Sequence, residues 1–171
     1  MFVIGAIGGF IIALIYIPGP LGWTVSDYAP WWLILVLANI LVSMGFFALW
    51  RKSGNVIPLV SAIFIIVWVI FAPLAHYLVT FALLDLSWLV LPPIGFIFIG
   101  AGWITAGIAA WLLREESSPF SIVAALVFLA FGAVNFLVPL IAGVAWNIWN
   151  VIFFIATGIV AGIYFLDAAR T

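Results

Sequence analysis

The chain has 171 residues, 70% of them apolar and only 5% charged, with no cysteine and a formal net charge of −1. Four basic and five acidic side chains are too few to give a soluble domain its charged skin, so lipid must take that place and the chain reads as an integral membrane protein. The missing cysteines exclude a disulfide framework, a thiolate metal site and a Cys nucleophile, and the near-zero net charge argues against nucleic acid as a partner.

A helix needs about 17 to 25 mostly apolar residues to cross ~30 Å of hydrocarbon at ~1.5 Å per residue. The first such run, in MFVIGAIGGFIIALIYIPGP, covers Phe2–Ile17. It is apolar enough for a signal peptide but lacks a basic n-region, and it reads as a retained first span. Trp31–Trp50 follows, with Asn39 and Ser43 inside it and Arg51 and Lys52 just after it. Ile57–Ala75 is the third run, carrying Ser61 and ending at Pro73. Leu91–Leu113, with Thr105, leads to Arg114; Phe120–Val138 holds Asn135 and meets Pro139; Ile148–Leu166 holds Thr157 and precedes Arg170. None of these continuous runs alternates as a β-barrel strand would. The expected fold class is an all-α, polytopic membrane protein with six transmembrane helices in one transmembrane domain, 1–171.

The charges predict an orientation. Arg51 and Lys52 follow the second run, Arg114 the fourth and Arg170 the sixth, so all four basic residues fall on one side. The positive-inside bias then places both termini and the RKSGN and REESSP loops in the cytoplasm of a multi-pass protein of the cell membrane. The opposite connections carry Asp27, His76 and Asp85, together with Trp23, Tyr28, Trp31, Trp32, Tyr77, Trp88, Trp146 and Trp149. Amphipathic rings at that level predict an aromatic belt at the outer interface.

The runs also repeat. The odd ones end in LIYIPGP, VIFAPLA and NFLVPLI, which makes Pro18, Pro73 and Pro139 equivalent. The even ones end in ILVSMGFFALWR, WITAGIAAWLLR and GIVAGIYFLDAAR, which places Gly45, Gly107 and Gly162 in register ahead of an arginine. The predicted unit is a helical hairpin used three times, over about 1–52, 56–114 and 119–170. Proline suits the outer end of an odd helix because it has no amide proton to leave unpaired. The glycines, with Gly158-x-x-x-Gly162 as the strict motif and Ala101-x-x-x-Thr105 and Gly5-x-x-Gly8-Gly9 as looser ones, predict close helix packing.

Three tandem hairpins, a proline closing each first helix, small-residue second helices and short charged inner loops resemble the HdeD-like family of small six-helix membrane proteins. The resemblance spans nearly the whole chain. It implies a membrane protein tied to stress tolerance without a known reaction, and it supplies no catalytic residues.

Chemistry needs polar groups, and those inside the runs are Asn39, Ser43, Ser61, Thr105, Asn135 and Thr157, none of them ionisable. Proton-coupled transport, which relies on intramembrane charges, is therefore disfavoured. Asn39 and Asn135 are expected to hydrogen-bond across helices. The lone histidine lies in VWVIFAPLAHYLVTFALLDLSW, where Ala72-x-x-x-His76-x-x-x-Thr80 fits a permissive pattern reported around quinone sites. His76, Thr80 and Asp85 are thus the candidates for quinone or lipid-headgroup contact, against the plainer reading of a rim histidine bonded to Asp85 or water. One histidine with Met1 and Met44 cannot supply an axial haem pair, and no donor cluster suggests a metal.

The outer connections YIPGPLGW, YLVTFALL and VPLIAGVAW are almost as apolar as the spans, so something is expected to cover them. The expectation is a protein that is not an enzyme, holds no cofactor, contacts membrane lipid, and serves as an accessory subunit of a larger membrane complex such as an energy-converting respiratory-type enzyme, or packs as a homo-oligomer. The alternatives are a self-contained HdeD-like protein and an oligomeric small-solute channel or lipid-handling protein.

Overall fold

The computed structural model describes residues 1–17, 29–74, 77–78, 92–115, 120–141 and 148–171, with side chains at all of these except 29, 92–94, 138–141 and 148–150. The described residues form six helices: α1 (Phe2–Tyr16), α2 (Ala29–Ser53), α3 (Ile57–Val69, continued by a π-turn over Ile70–Leu74), α4 (Pro92–Leu112), α5 (Ser121–Ile141) and α6 (Ile148–Ala168). Among the described residues, four apolar helical stretches are long enough to cross a membrane: Pro30–Ser53, Ile57–Leu74, Gly95–Leu112 and Val151–Ala168. Phe2–Tyr16 and Ser121–Leu137 are shorter apolar stretches. A helix satisfies its own backbone hydrogen bonds, which is why uninterrupted apolar runs take this form where no water is present to do so.

The helix ends depart from the apolar runs where local chemistry intervenes. Helix α2 continues past Trp50 to Ser53, with Arg51 and Lys52 in its last turn, where cations complement the exposed carbonyls. It stops at Gly54, whose φ of +70° puts it in the left-handed region and whose N–H donates to Trp50 O at 2.8 Å. Asn55 then starts α3: its Oδ1 accepts from Ile57 N at 2.9 Å, and Pro58 fills the first turn, where an amide proton is dispensable. At the far end of α3, buried Pro73 sits inside the π-turn. A proline ring collides with the carbonyl four residues back in an α-helix, and the wider winding accommodates it. In α5 the backbone stays helical to Ile141, beyond the expected end at Val138.

Neighbouring helices run antiparallel, as the residues opposite one another show. Gly5 lies against Gly45 and Gly8 against Leu41; Gly9 meets Gly162 while Ala13 meets Gly158; Gly95 meets Ala72 while Gly102 meets Ile65; Gly100 meets Phe136 while Gly107 meets Leu129. The chain thus alternates up and down, and its helices close in order into a ring. The α4–α5, α1–α6 and α1–α2 interfaces are the most extensive, and the α5–α6 interface is much smaller. This alternation brings the ends of α2, α4 and α6, with Arg51, Lys52, Arg114 and Arg170, to the same end of the bundle as the start of α1.

Candidate functional site

His76, Thr80 and Asp85 lie outside the described residues, as do Asp27 and half of the expected aromatic belt, Trp23, Tyr28, Trp88 and Trp146. Within the belt, Trp149 lies in the first turn of α6, and Trp31, Trp32 and Tyr77 are each half-buried.

The packing glycines sit on two kinds of seam. Gly9 on α1 faces the α6 backbone so closely that a methyl group added to it would lie 2.6 Å from Gly162 N and 2.7 Å from Gly158 O. A methyl on Gly158 would lie 2.6 Å from Gly9 O, so these two helices leave no room for a side chain between them. Gly45 on α2 and Gly162 on α6 meet aromatic rings instead: added methyls would reach Phe165 and Phe10 respectively, each at 2.7 Å. Gly107 on α4 faces α5, with Leu129 Cγ at 2.6 Å and Ala125 O at 3.0 Å from the same imagined atom.

Aromatic rings fill the centre of the ring of helices. Phe46, fully buried on α2, packs edge-on against Trp103 of α4 at 6.1 Å, Phe128 of α5 at 6.2 Å and Phe165 of α6 at 5.0 Å between centroids. Phe131 and Phe154 meet at 4.7 Å and carry the lattice from α5 to α6, where Tyr16 of α1 stacks on Phe154 at 4.4 Å. Edge-to-face and offset contacts suit the ring quadrupoles, and each adds about 0.5–1.5 kcal/mol beyond the area it buries.

The buried polar groups turn mostly to their own backbones. Asn39 donates to Leu35 O at 2.8 Å and Asn135 to Phe131 O at 2.9 Å, each one turn back in its own helix. This corrects the expectation of amide bonds between helices: a neighbouring carbonyl one turn away is already in reach, and its use costs no rearrangement. Ser43 makes the same kind of bond to Asn39 O at 2.9 Å. The hydroxyl pair Ser61–Thr105, at 3.0 Å, does join α3 to α4. It is satisfied when Ser61 donates to Thr105 and Thr105 to the carbonyl of Ala101 or Gly102, both at 2.9 Å. The hydroxyls' partners are each other and carbonyls of their own helices, so the pair acts as a polar tie between α3 and α4. Among the described residues no three His, Asp or Glu side chains gather in a metal-binding group.

The basic end has its own geometry, which the sequence pattern did not reveal. Lys52 Nζ donates to Ala168 O at 3.2 Å and to Thr171 Oγ1 at 3.0 Å, and stands 5.7 Å from the centroid of the Phe2 ring. One ammonium thereby ties α2 to the carbonyl end of α6 and covers the start of α1. Arg114 is occupied locally. Its guanidinium lies 5.0 Å from the Trp111 ring centroid, donates to Trp111 O at 2.9 Å and pairs with Glu115 at 3.7 Å.

Comparison of the chain with protein-family models, curated proteins and solved structures finds no match.

Proposed function

We propose that the protein crosses the cell membrane six times as three tandem helical hairpins, with both termini cytoplasmic, and serves as a non-catalytic accessory subunit of a larger membrane assembly. The observation that carries this reading is the closed centre. Phe46, Trp103, Phe128, Phe131 and Phe165 occupy the axis of the bundle, where a carrier or channel needs a polar path. The buried amides of Asn39 and Asn135 are spent on their own helices. With its interior so committed, the bundle acts through what it packs against: membrane lipid and the apolar outer connections that invite other membrane subunits or further copies of this chain.

Solubilising the tagged chain from its native membrane in a mild detergent and identifying what accompanies it tests the proposal. Other membrane subunits in fixed stoichiometry are the expected result. Recovery of the chain alone, as a monomer or homo-oligomer, would overturn the accessory role and favour a self-contained HdeD-like protein. Solute flux through liposomes containing the purified chain would instead favour the channel reading.

A further inference from the structure

We propose that the corner where α2 and α6 end binds the phosphate of an anionic lipid headgroup, through Arg51 and Arg170 with Lys52 between them. The inference rests on the membrane reading, which puts this end of the bundle at a headgroup surface. Three of the four basic residues of the chain lie here. The two helix ends are held side by side by the Lys52 bonds to Ala168 O at 3.2 Å and Thr171 Oγ1 at 3.0 Å. That tie sets the helix end that carries Arg51 next to the one that carries Arg170.

The two arginines differ from the fourth cation in what occupies them. Arg114 has a ring face, a carbonyl and a carboxylate. Arg51 and Arg170 are exposed, and among the described residues neither guanidinium has a hydrogen bond or an ion pair. A guanidinium presents a planar fork of donors that matches phosphate oxygens two at a time, and two unoccupied forks flanking an ammonium set up a dianionic or monoanionic phosphate cradle. One carboxylate, Asp167, is nearby in sequence, so the corner keeps an excess of positive charge. The apolar half of the ligand is also provided for. Phe2, Phe47 and Trp50 lie at the same level, with the Phe47 and Trp50 rings 4.9 Å apart, where an acyl chain and glycerol backbone would lie. A soluble phosphate would use the cations but gain nothing from these rings.

Native mass spectrometry of the delipidated full chain, given equal amounts of phosphatidylglycerol and phosphatidylcholine in detergent, tests the assignment. Near a membrane surface each cation contributes on the order of fivefold to anionic-lipid binding. Phosphatidylglycerol should therefore be retained by wild type over phosphatidylcholine by on the order of tenfold or more, and the preference should collapse towards unity in the Arg51→Gln/Arg170→Gln variant. Arg114→Gln, at a cation already occupied, should keep the wild-type preference. Arg51→Lys/Arg170→Lys, which keeps charge without the fork, should retain an intermediate preference and guards against misreading a variant that fails to fold. No preference in wild type, an equal loss in Arg114→Gln, or full displacement of the lipid by inorganic phosphate would each overturn the proposal, the last by revealing a free-anion site. Release of the chain from membranes by an alkaline wash would instead fail the membrane reading itself.

Discussion

At the α1–α6 seam two backbones meet directly, and at the centre of the bundle aromatic rings bridge four helices. Gly9, Gly158 and Gly162 make the first arrangement; Phe46, Trp103, Phe128 and Phe165 make the second. Lipid tails are as apolar as the side chains, so burial alone gives little reason for helices to associate in a bilayer. What remains is contact density, gained at the seam by removing side chains until backbones touch and at the centre by inserting the largest side chains. The two regions should therefore fail in opposite ways. The seam cannot take atoms, and the centre cannot lose them.

The largest effect is expected at the centre. Phe46→Ala removes a ring that three helices share and leaves a cavity that fixed neighbours cannot close, costing about 3–5 kcal/mol. Denaturation in mixed detergent micelles measures it, and a loss below ~1 kcal/mol would mean that the rings are loosely packed. The mirror-image change is Gly9→Ala, whose new methyl would fall 2.6 Å from Gly162 N. Because backbone cannot swing aside, the cost should be at the upper part of the usual 1–3 kcal/mol for overpacking, roughly 3 kcal/mol, read by the same titration. Gly162→Ala sharpens the comparison. Its methyl would meet the Phe10 ring, which is only half-buried and can turn, so a cost nearer to about 1 kcal/mol is expected. Equal costs for the two glycine variants would show that the distinction between backbone and side-chain neighbours does not govern this seam.

Smallest is the polar tie between α3 and α4. Ser61→Ala deletes the bond to Thr105, yet Thr105 keeps its own carbonyl acceptors, so a loss of about 0.6 kcal/mol is expected. A thermal melt in detergent that falls as far as that of Phe46→Ala would assign the hydroxyl pair a far greater role than its geometry supports.

Much of this architecture was legible in the residues. The six helices of the described residues fall on the six apolar runs, because a helix lets an uninterrupted apolar run pair its backbone groups internally. The positions of Gly5, Gly8, Gly9, Gly158 and Gly162 announced close approach by their spacing. Their partners were not legible. Gly107 packs on α5, in the following proposed hairpin, and Gly45 meets Phe165 of α6 as well as α1, since spacing marks a face but does not say which helix will lie against it. Nor could Phe46 be told from Phe47, one buried at the centre and the other partly exposed. In a soluble helix polar residues mark the outward face, but here lipid lets Leu33, Leu37 and Ile40 stand outside as readily as Val42 stands inside. The Lys52 tie depends on a distance between elements, which the order of residues does not carry.

Alternating topology is the claim on which the rest depends, and the absence of native cysteine allows it to be tested directly by single-cysteine labelling in intact cells. With the basic end in the cytoplasm, Asn55→Cys in the α2–α3 turn should resist a membrane-impermeant thiol reagent until the cells are permeabilised, and Ser26→Cys should react at once. Labelling of Asn55→Cys in intact cells with protection of Ser26→Cys would contradict the orientation, and equal labelling of both would contradict a membrane crossing between them.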